Sequence, residues 1–500
     1  MKEEVNRKLN EVREHITKVE SLIKMLNLAY WDMKITMPVK ALEQRSVTMG
    51  IVAEEIFKLS TGSAVEEFIK YFEPVNNELS EIDRAMIREM KKVYDEASKI
   101  PANMHMEFTI AAALSEAAWE EARKKDDFKI FEPNLEKMVD FKRQFAEYYG
   151  YKENRYDALL NQYEEGMTVR KLDKLLDELK IGVLELLDYV KNSKKHIDRK
   201  YISGKYEIEK QKRLSLFLLN IIKFDMEAGR LDETTHPFTI EIGNRDVRIT
   251  THYYENDLLG NIFSILHEGG HGLYEQHIPD ELQGTGLEHG ASVGMHESQS
   301  RFYENIIGKS REFLSVILPF IKMQFEDLKD ITVEEFYDSV NYVIPSLIRT
   351  GADEVTYNLH IIIRYEIEKQ LINEEIEVKD LPRIWNEKYK EYLGVEPKNY
   401  NEGILQDIHW AAGQFGYFPT YALGNIYGGQ FLNQLLKDNG SAIKDLEIGD
   451  LTYINDWLKD NIYKYGAIYT PEELIKKVTG KDISTKYFLK YLECKYKSIY

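Results

Sequence analysis

Apolar residues in this chain recur at three- and four-residue steps over most of its length, and that period dictates helix. Val5, Leu9, Val12, Ile16, Val19 and Ile23 mark one such face. The alanine-rich run from Ile110 to Trp119 and the run from Leu172 to Val190 read the same way. Many positions between them are Lys or Glu, which favour helix and keep its outer side hydrated. The 12 prolines stand mostly where these runs stop, Pro38, Pro101, Pro133 and Pro237 among them. Pro319 lies within an apolar run and is expected to kink or end a helix.

One stretch breaks the period. From Phe238 to Tyr254 apolar residues alternate, with Phe238, Ile240 and Ile242 on one side of the turn-forming Gly243-Asn244-Arg245-Asp246 and Val247 and Ile249 on the other. This predicts a β-hairpin, and Asn256-Asp257 then offers caps for a new helix. The expected fold is mainly α, with a small β element beside the helix that follows it. No repeat, low-complexity tract or Gly/Ser linker divides the chain, so residues 1–500 read as one domain.

Charge narrows the partners. Lys and Arg number 66 against 85 Asp and Glu, a net charge of −19, which disfavours nucleic acid and anionic lipid. No eighteen-residue apolar window exists for a membrane span, and Met1-Lys2-Glu3-Glu4-Val5 opens no secretory signal. The single cysteine, Cys494, excludes an intrachain disulfide. A cytoplasmic protein is expected, and a metal in it must be held by nitrogen and oxygen.

Such a site is present in His267-Glu268-Gly269-Gly270-His271. Residues four apart on a helix share a face, so both imidazoles can turn to one ion, while Glu268 reaches a water on it. Zinc lowers the pKa of that water and the glutamate takes its proton. Two mid-helix glycines cost about 1 kcal/mol each relative to alanine, which points to close backbone packing or substrate approach. Catalytic zinc takes three protein ligands. Glu275, Glu281, Glu288 and Glu297 are the candidates for the third, Glu288 a real rival of Glu297 on spacing alone. A helical run from Glu297 to Ile307 is expected to pack antiparallel to the histidine helix.

With these residues in view, the chain resembles the carboxypeptidase Taq family of metallopeptidases over almost its whole length. His236-Pro237-Phe238 resembles the family's HPF motif, Asp246 to Thr250 its DxRxT, and His267 to His271 its HExxH. His296-Glu297-Ser298-Gln299 follows in order, then Ile348 to Asp353 as I/V-R-x-x-A-D, then Gly403 to Trp410 as GxxQDxHW. The resemblance implies long helices around a deep groove, the N-terminal region of about 1–230 forming one side, with a small sheet at the active site. It implies a homodimer, Glu297 as third metal ligand and Glu268 as general base. The implied activity is release of single C-terminal residues with broad specificity, using zinc or, in some members, cobalt.

Peptides with a free C-terminus would then be the partners. Their carboxylate calls for an arginine fork, and Arg349 and Arg248 are the candidates, each with a nearby acid (Asp353 and Asp246) as its alternative partner. The tetrahedral oxyanion calls for a donor, for which His409 leads, followed by Tyr421 and Tyr417. Trp31 is expected to secure the N-terminal helices. Two rivals remain: a metalloendopeptidase with the same zinc site, and a non-catalytic helical scaffold, which the intact Glu268 argues against.

Overall fold

The computed structural model describes residues 2–202 and 204–500. Its N-terminal helix, Lys2–Ile35, runs 34 residues, about 50 Å at the α-helical rise, and buries Leu9, Val12, Ile16 and Trp31. The expected apolar face is thus the inner one. Helices Ala102–Lys125 and Val169–Lys191 cover the other two runs read as helix. One cluster of buried apolar side chains includes Leu9 near one end of the chain and Ile499 near the other.

The hairpin forms as predicted. Strand β2 (Thr239–Gly243) pairs antiparallel with β3 (Asp246–Thr251), Thr239 opposite Ile249 and Glu241 opposite Val247. The sequence reading missed β1 (Gly229–Glu233), which joins β3 in parallel and gives the order β1-β3-β2. Its Gly-Arg-Leu-Asp-Glu carries no alternation, because its partner strand and not its own pattern holds it. Pro319 neither ends nor interrupts the helix Arg311–Gln324, and Pro133 lies within Phe128–Tyr149 rather than at its edge. In both, burial of the flanking apolar face outweighs one missing hydrogen bond.

The sheet supports the helix Leu258–Gln276, called here the metal helix, whose first turn is capped by Asp257 through Gly260 N at 2.8 Å. Leu258, Ile262, Ile265, Leu266 and Leu273 bury it. The next helix, Val293–Arg301, lies against it so closely that a Cβ on Gly270 would come within 2.6 Å of Gln299 O. Helix Pro419–Asp438 approaches from beyond: a Cβ on Gly424 would meet Glu297 Cγ at 2.7 Å. Both glycines expected to serve close packing do so, Gly270 against Gln299 and Gly269 against Ile222, whose Cδ1 would lie 2.5 Å from an added Cβ. Gly270 with Gly424 fixes the depth at which Glu297 faces the histidines. The helical run expected to begin at Glu297 begins at Val293, and from Phe302 to Ile307 it loosens into π-helix.

Candidate metal centre and active site

His267 and His271 point their Nε2 atoms toward Glu297 Oε2, at 3.7 and 3.5 Å. Among the described residues these three form the one group of potential ligands whose atoms all lie within 4.8 Å of one another. The alternatives are spent elsewhere. Glu275 Oε1 contacts His296 Nε2 at 2.5 Å, Glu288 pairs with Lys24 at 2.6 Å, and Glu281 is exposed.

The rear nitrogens are fixed too. His267 Nδ1 meets Glu304 Oε2 at 2.7 Å, and His271 Nδ1 meets His296 Nδ1 at 2.6 Å. Such outer partners set ring orientation and leave Nε2 for a metal. Glu297 is steadied by Ser300 Oγ at 3.1 Å and Arg301 Nε at 2.7 Å, and Arg301 also reaches Glu304 at 3.0 Å while lying over the Tyr357 ring. Two imidazoles and a carboxylate, pre-oriented around one point, fit a catalytic zinc or similar divalent ion.

The charges of Glu297, Glu304 and His271 agree with that fit. Burial would raise the Glu297 carboxyl, yet Arg301 and the two histidines hold it well below its ordinary range. Glu304 is brought down to about 2 against the same burial, by Arg301 and His267. Burial depresses His271 to about 3, keeping it neutral as a ligand must be. For His267 burial acts the same way, but Glu297 and Glu304 outweigh it and its pKa rises.

Arg301 and Glu304 were not singled out from sequence. Arg301, four residues after Glu297, was readable as a same-face partner. Glu304 was not, because its turn toward His267 rests on the π-helical segment, which no residue preference announces. Replacing Glu304 by glutamine should weaken metal affinity about 10- to 100-fold, measured by competition with a chelator.

Glu268 follows His267 and lines a cavity of about 590 Å³ with both histidines and Glu297. Thr239 Oγ1, on β2, donates to Glu268 Oε2 at 2.5 Å. Burial pushes the Glu268 carboxyl up, against the pull of His267 and Thr239. The residues of β2 that serve the site are thus the polar ones between the alternating apolar residues. Phe238 also lines the cavity, and its backbone is pinned by Thr250, whose Oγ1 accepts from Phe238 N at 2.8 Å and donates to Phe238 O at 3.0 Å. The N-terminal helix covers the far end of this edge strand, Asn27 Nδ2 donating to Glu241 O at 2.9 Å.

Tyr417 and Tyr421 also line the cavity. His409 stands behind Tyr421, its Nε2 3.2 Å from the Tyr421 hydroxyl, and burial lowers its pKa to about 4. Neither arginine lines the cavity. Arg349 Nε and Nη2 donate to Asp407 Oδ1 at 3.0 and 2.9 Å, and Nη1 donates to Tyr357 Oη at 3.2 Å, with the Tyr421 ring 5.0 Å away. Asp407, which also binds Arg364, replaces the expected Asp353 as its partner; Asp353 instead accepts from backbone Val355 N and Thr356 N. Arg248 does pair with Asp246, at 2.7 Å through both Nε and Nη2, and lies over Trp31.

Comparison with known proteins accords with this geometry. A family model described as carboxypeptidase Taq (M32) metallopeptidase matches residues 11–496. The chain belongs to this family. Carboxypeptidase 1 of Bacillus subtilis is 42% identical over 477 residues, 95% of each chain. Thermostable carboxypeptidase 1 of Thermus thermophilus is 42% identical over 489 residues, again 95% of each. The structure of the Pyrococcus furiosus carboxypeptidase superposes with a TM-score of 0.95 at 37% identity, covering 98% of this chain and 99% of that one. As a carboxypeptidase Taq family member the chain is a metal-dependent peptide hydrolase, a metallocarboxypeptidase with a mainly helical fold. No helix among the described residues is long and apolar enough to cross a membrane.

Proposed function

We propose that His267, His271 and Glu297 hold a zinc ion, and that Glu268 is the general base for release of single residues from peptides with a free C-terminus. The observation that carries this reading is the convergence of two Nε2 atoms and Glu297 Oε2 on one wall of the cavity, with Glu268 beside them. Zinc, when bound, lowers the pKa of water and polarises a peptide carbonyl. Glu268, oriented by Thr239, takes up a proton on its carboxylate and returns it to the departing amine. Tyr421, kept a neutral phenol by burial, donates toward the carbonyl oxygen as negative charge develops there. His409 orients that phenol, and Tyr417 is a second donor on the same wall.

Arg349 is read as the anchor of the terminal carboxylate. A guanidinium has five N–H groups, and Asp407 and Tyr357 engage three of them. The guanidinium lies 5.0 Å from the ring of Tyr421, which lines the cavity, and Asp407 holds the fork in place. Arg248 assists from β3.

The same reading takes the chain as one domain, 1–500, whose first 230 or so residues form one side of the groove. Lys92, Gln162, Tyr163 and Glu165 from that part contribute to the cavity wall. Cobalt in place of zinc, broad specificity and a homodimer are what the resemblance implies, and a cytoplasmic setting is supported by the free, exposed Cys494, which suits a reducing compartment.

An N-blocked dipeptide and its C-terminal amide test the exopeptidase assignment. The amide should be cleaved about a hundredfold less efficiently, the worth of a charge-assisted hydrogen bond or two. Arg349→Ala should narrow that gap by slowing only the free acid. Equal cleavage by the unaltered enzyme would instead identify an endopeptidase.

A further inference from the structure

Two carboxylates in the active-site cavity, Glu241 and Glu275, take no part in the catalytic steps described so far, while a third, Glu165, is paired with Lys92 at 3.1 Å. Thr239 and Glu241 lie two residues apart on β2 and share a face, while Glu268 and Glu275 lie seven apart on the metal helix and share one too. Thr239 bonds Glu268. One step further along both elements, about 7 Å along the strand and about 10 Å along the helix, are Glu241 and Glu275, and both line the cavity.

Each has an oxygen without a partner. Glu275 is only 6% exposed; its Oε1 meets His296, but its Oε2 is buried with no hydrogen bond. Glu241 Oε1 is likewise buried and unpartnered. Burial, then the Glu275 charge, pushes the Glu241 carboxyl up to about 8, with Lys24 pulling the other way. Lys24 does not neutralise the pair, because its ammonium is spent on Glu288 at 2.6 Å and Gln283 at 3.1 Å. Acidic groups largely withdrawn from water are costly, and a cation in the cavity they line would lower that cost. Among the described residues the one group of three ligands within 4.8 Å of one another is His267, His271 and Glu297, and neither Glu241 nor Glu275 belongs to it.

We propose that Glu241 and Glu275 form an acidic subsite that receives a basic side chain, a guanidinium or ammonium, of the peptide residue next to the scissile bond. The subsite rests on the cavity being where hydrolysis occurs. Glu241 lines the cavity from β2 and Glu275 from the metal helix, so such a side chain would meet acids from two elements. These residues would tilt an otherwise broad hydrolase toward basic peptides.

Arginine and citrulline are isosteric and differ in charge, so the test compares N-blocked dipeptides carrying one or the other, first as the released residue and then as the residue before it. The metal-loaded enzyme should prefer arginine on the order of ten- to a hundredfold in kcat/KM at one of the two positions. Glu241→Gln should bring that ratio to within about threefold of unity, and Glu275→Gln should lower it as well. Glu241→Lys should favour a glutamate dipeptide over its glutamine counterpart. An unaltered enzyme indifferent to arginine at both positions overturns the proposal, whatever the variants do. So does a ratio that survives in folded Glu241→Gln and Glu275→Gln. Hydrolysis of the citrulline dipeptide by Glu268→Gln is a separate control: activity retained there would remove the reaction site itself, not the subsite alone.

Discussion

Replacing Glu268 by glutamine should lower kcat on an N-blocked dipeptide by about 10³-fold while metal content stays unchanged. A positioned general base contributes typically 10²- to 10⁴-fold, and the amide cannot accept the proton. The substitution is close to isosteric, and Thr239 can still donate to the remaining carbonyl oxygen, so the cavity keeps its shape. Glu268 is buried but is not one of the three converging donors, so the metal should be retained. Activity and metal content, measured on the same preparation with and without chelator, separate the base from the ligands. Hydrolysis near the unaltered rate in Glu268→Gln would remove Glu268 from the mechanism.

Glu297→Ala should abolish measurable hydrolysis and lower metal affinity by more than the about 100-fold upper range for an outer partner. It deletes one of three converging donors. It also leaves Arg301 with Glu304 as its remaining acid, in a place where unpairing a buried charge costs about 3–5 kcal/mol. Thermal unfolding provides the second readout. A metal at a thousandfold excess over its Kd stabilises the native state by about 4 kcal/mol, so added zinc should raise the Tm of the unaltered protein and leave that of Glu297→Ala nearly unmoved. An equal zinc-induced shift in both proteins would mean that the ion is held elsewhere.

Much of the fold was legible because its signals are local. The three- and four-residue period announces helices at Lys2–Ile35, Ala102–Lys125 and Val169–Lys191, and alternation around Gly243-Asn244-Arg245-Asp246 announces the hairpin. Strand β1 was not legible, since pairing to β3 rather than residue pattern makes it a strand. The glycines of the metal helix signalled a close approach without naming what approaches. The neighbour of Gly270 is Gln299, two residues past Glu297, and that of Gly269 is Ile222.

The candidate site divides along the same line. Spacing alone put His267 and His271 on one helix face with Glu268 beside them, because four residues make about one turn. Spacing could not choose among Glu275, Glu281, Glu288 and Glu297, since each choice depends on where a second chain segment lies. Packing through Gly270 and Gly424 brings Glu297 to the histidines, while Glu275 goes to His296 and Glu288 to Lys24. Nor could spacing show that Arg349 is engaged by Asp407, 58 residues away, rather than by Asp353 nearby. The sequence by itself determined the helical body, the hairpin and the two-histidine motif, all written in periods shorter than two turns. Only the tertiary structure decided the third donor, the fixed rear nitrogens and the pairing of each buried charge, because these depend on contacts between segments whose separation in the chain carries no period.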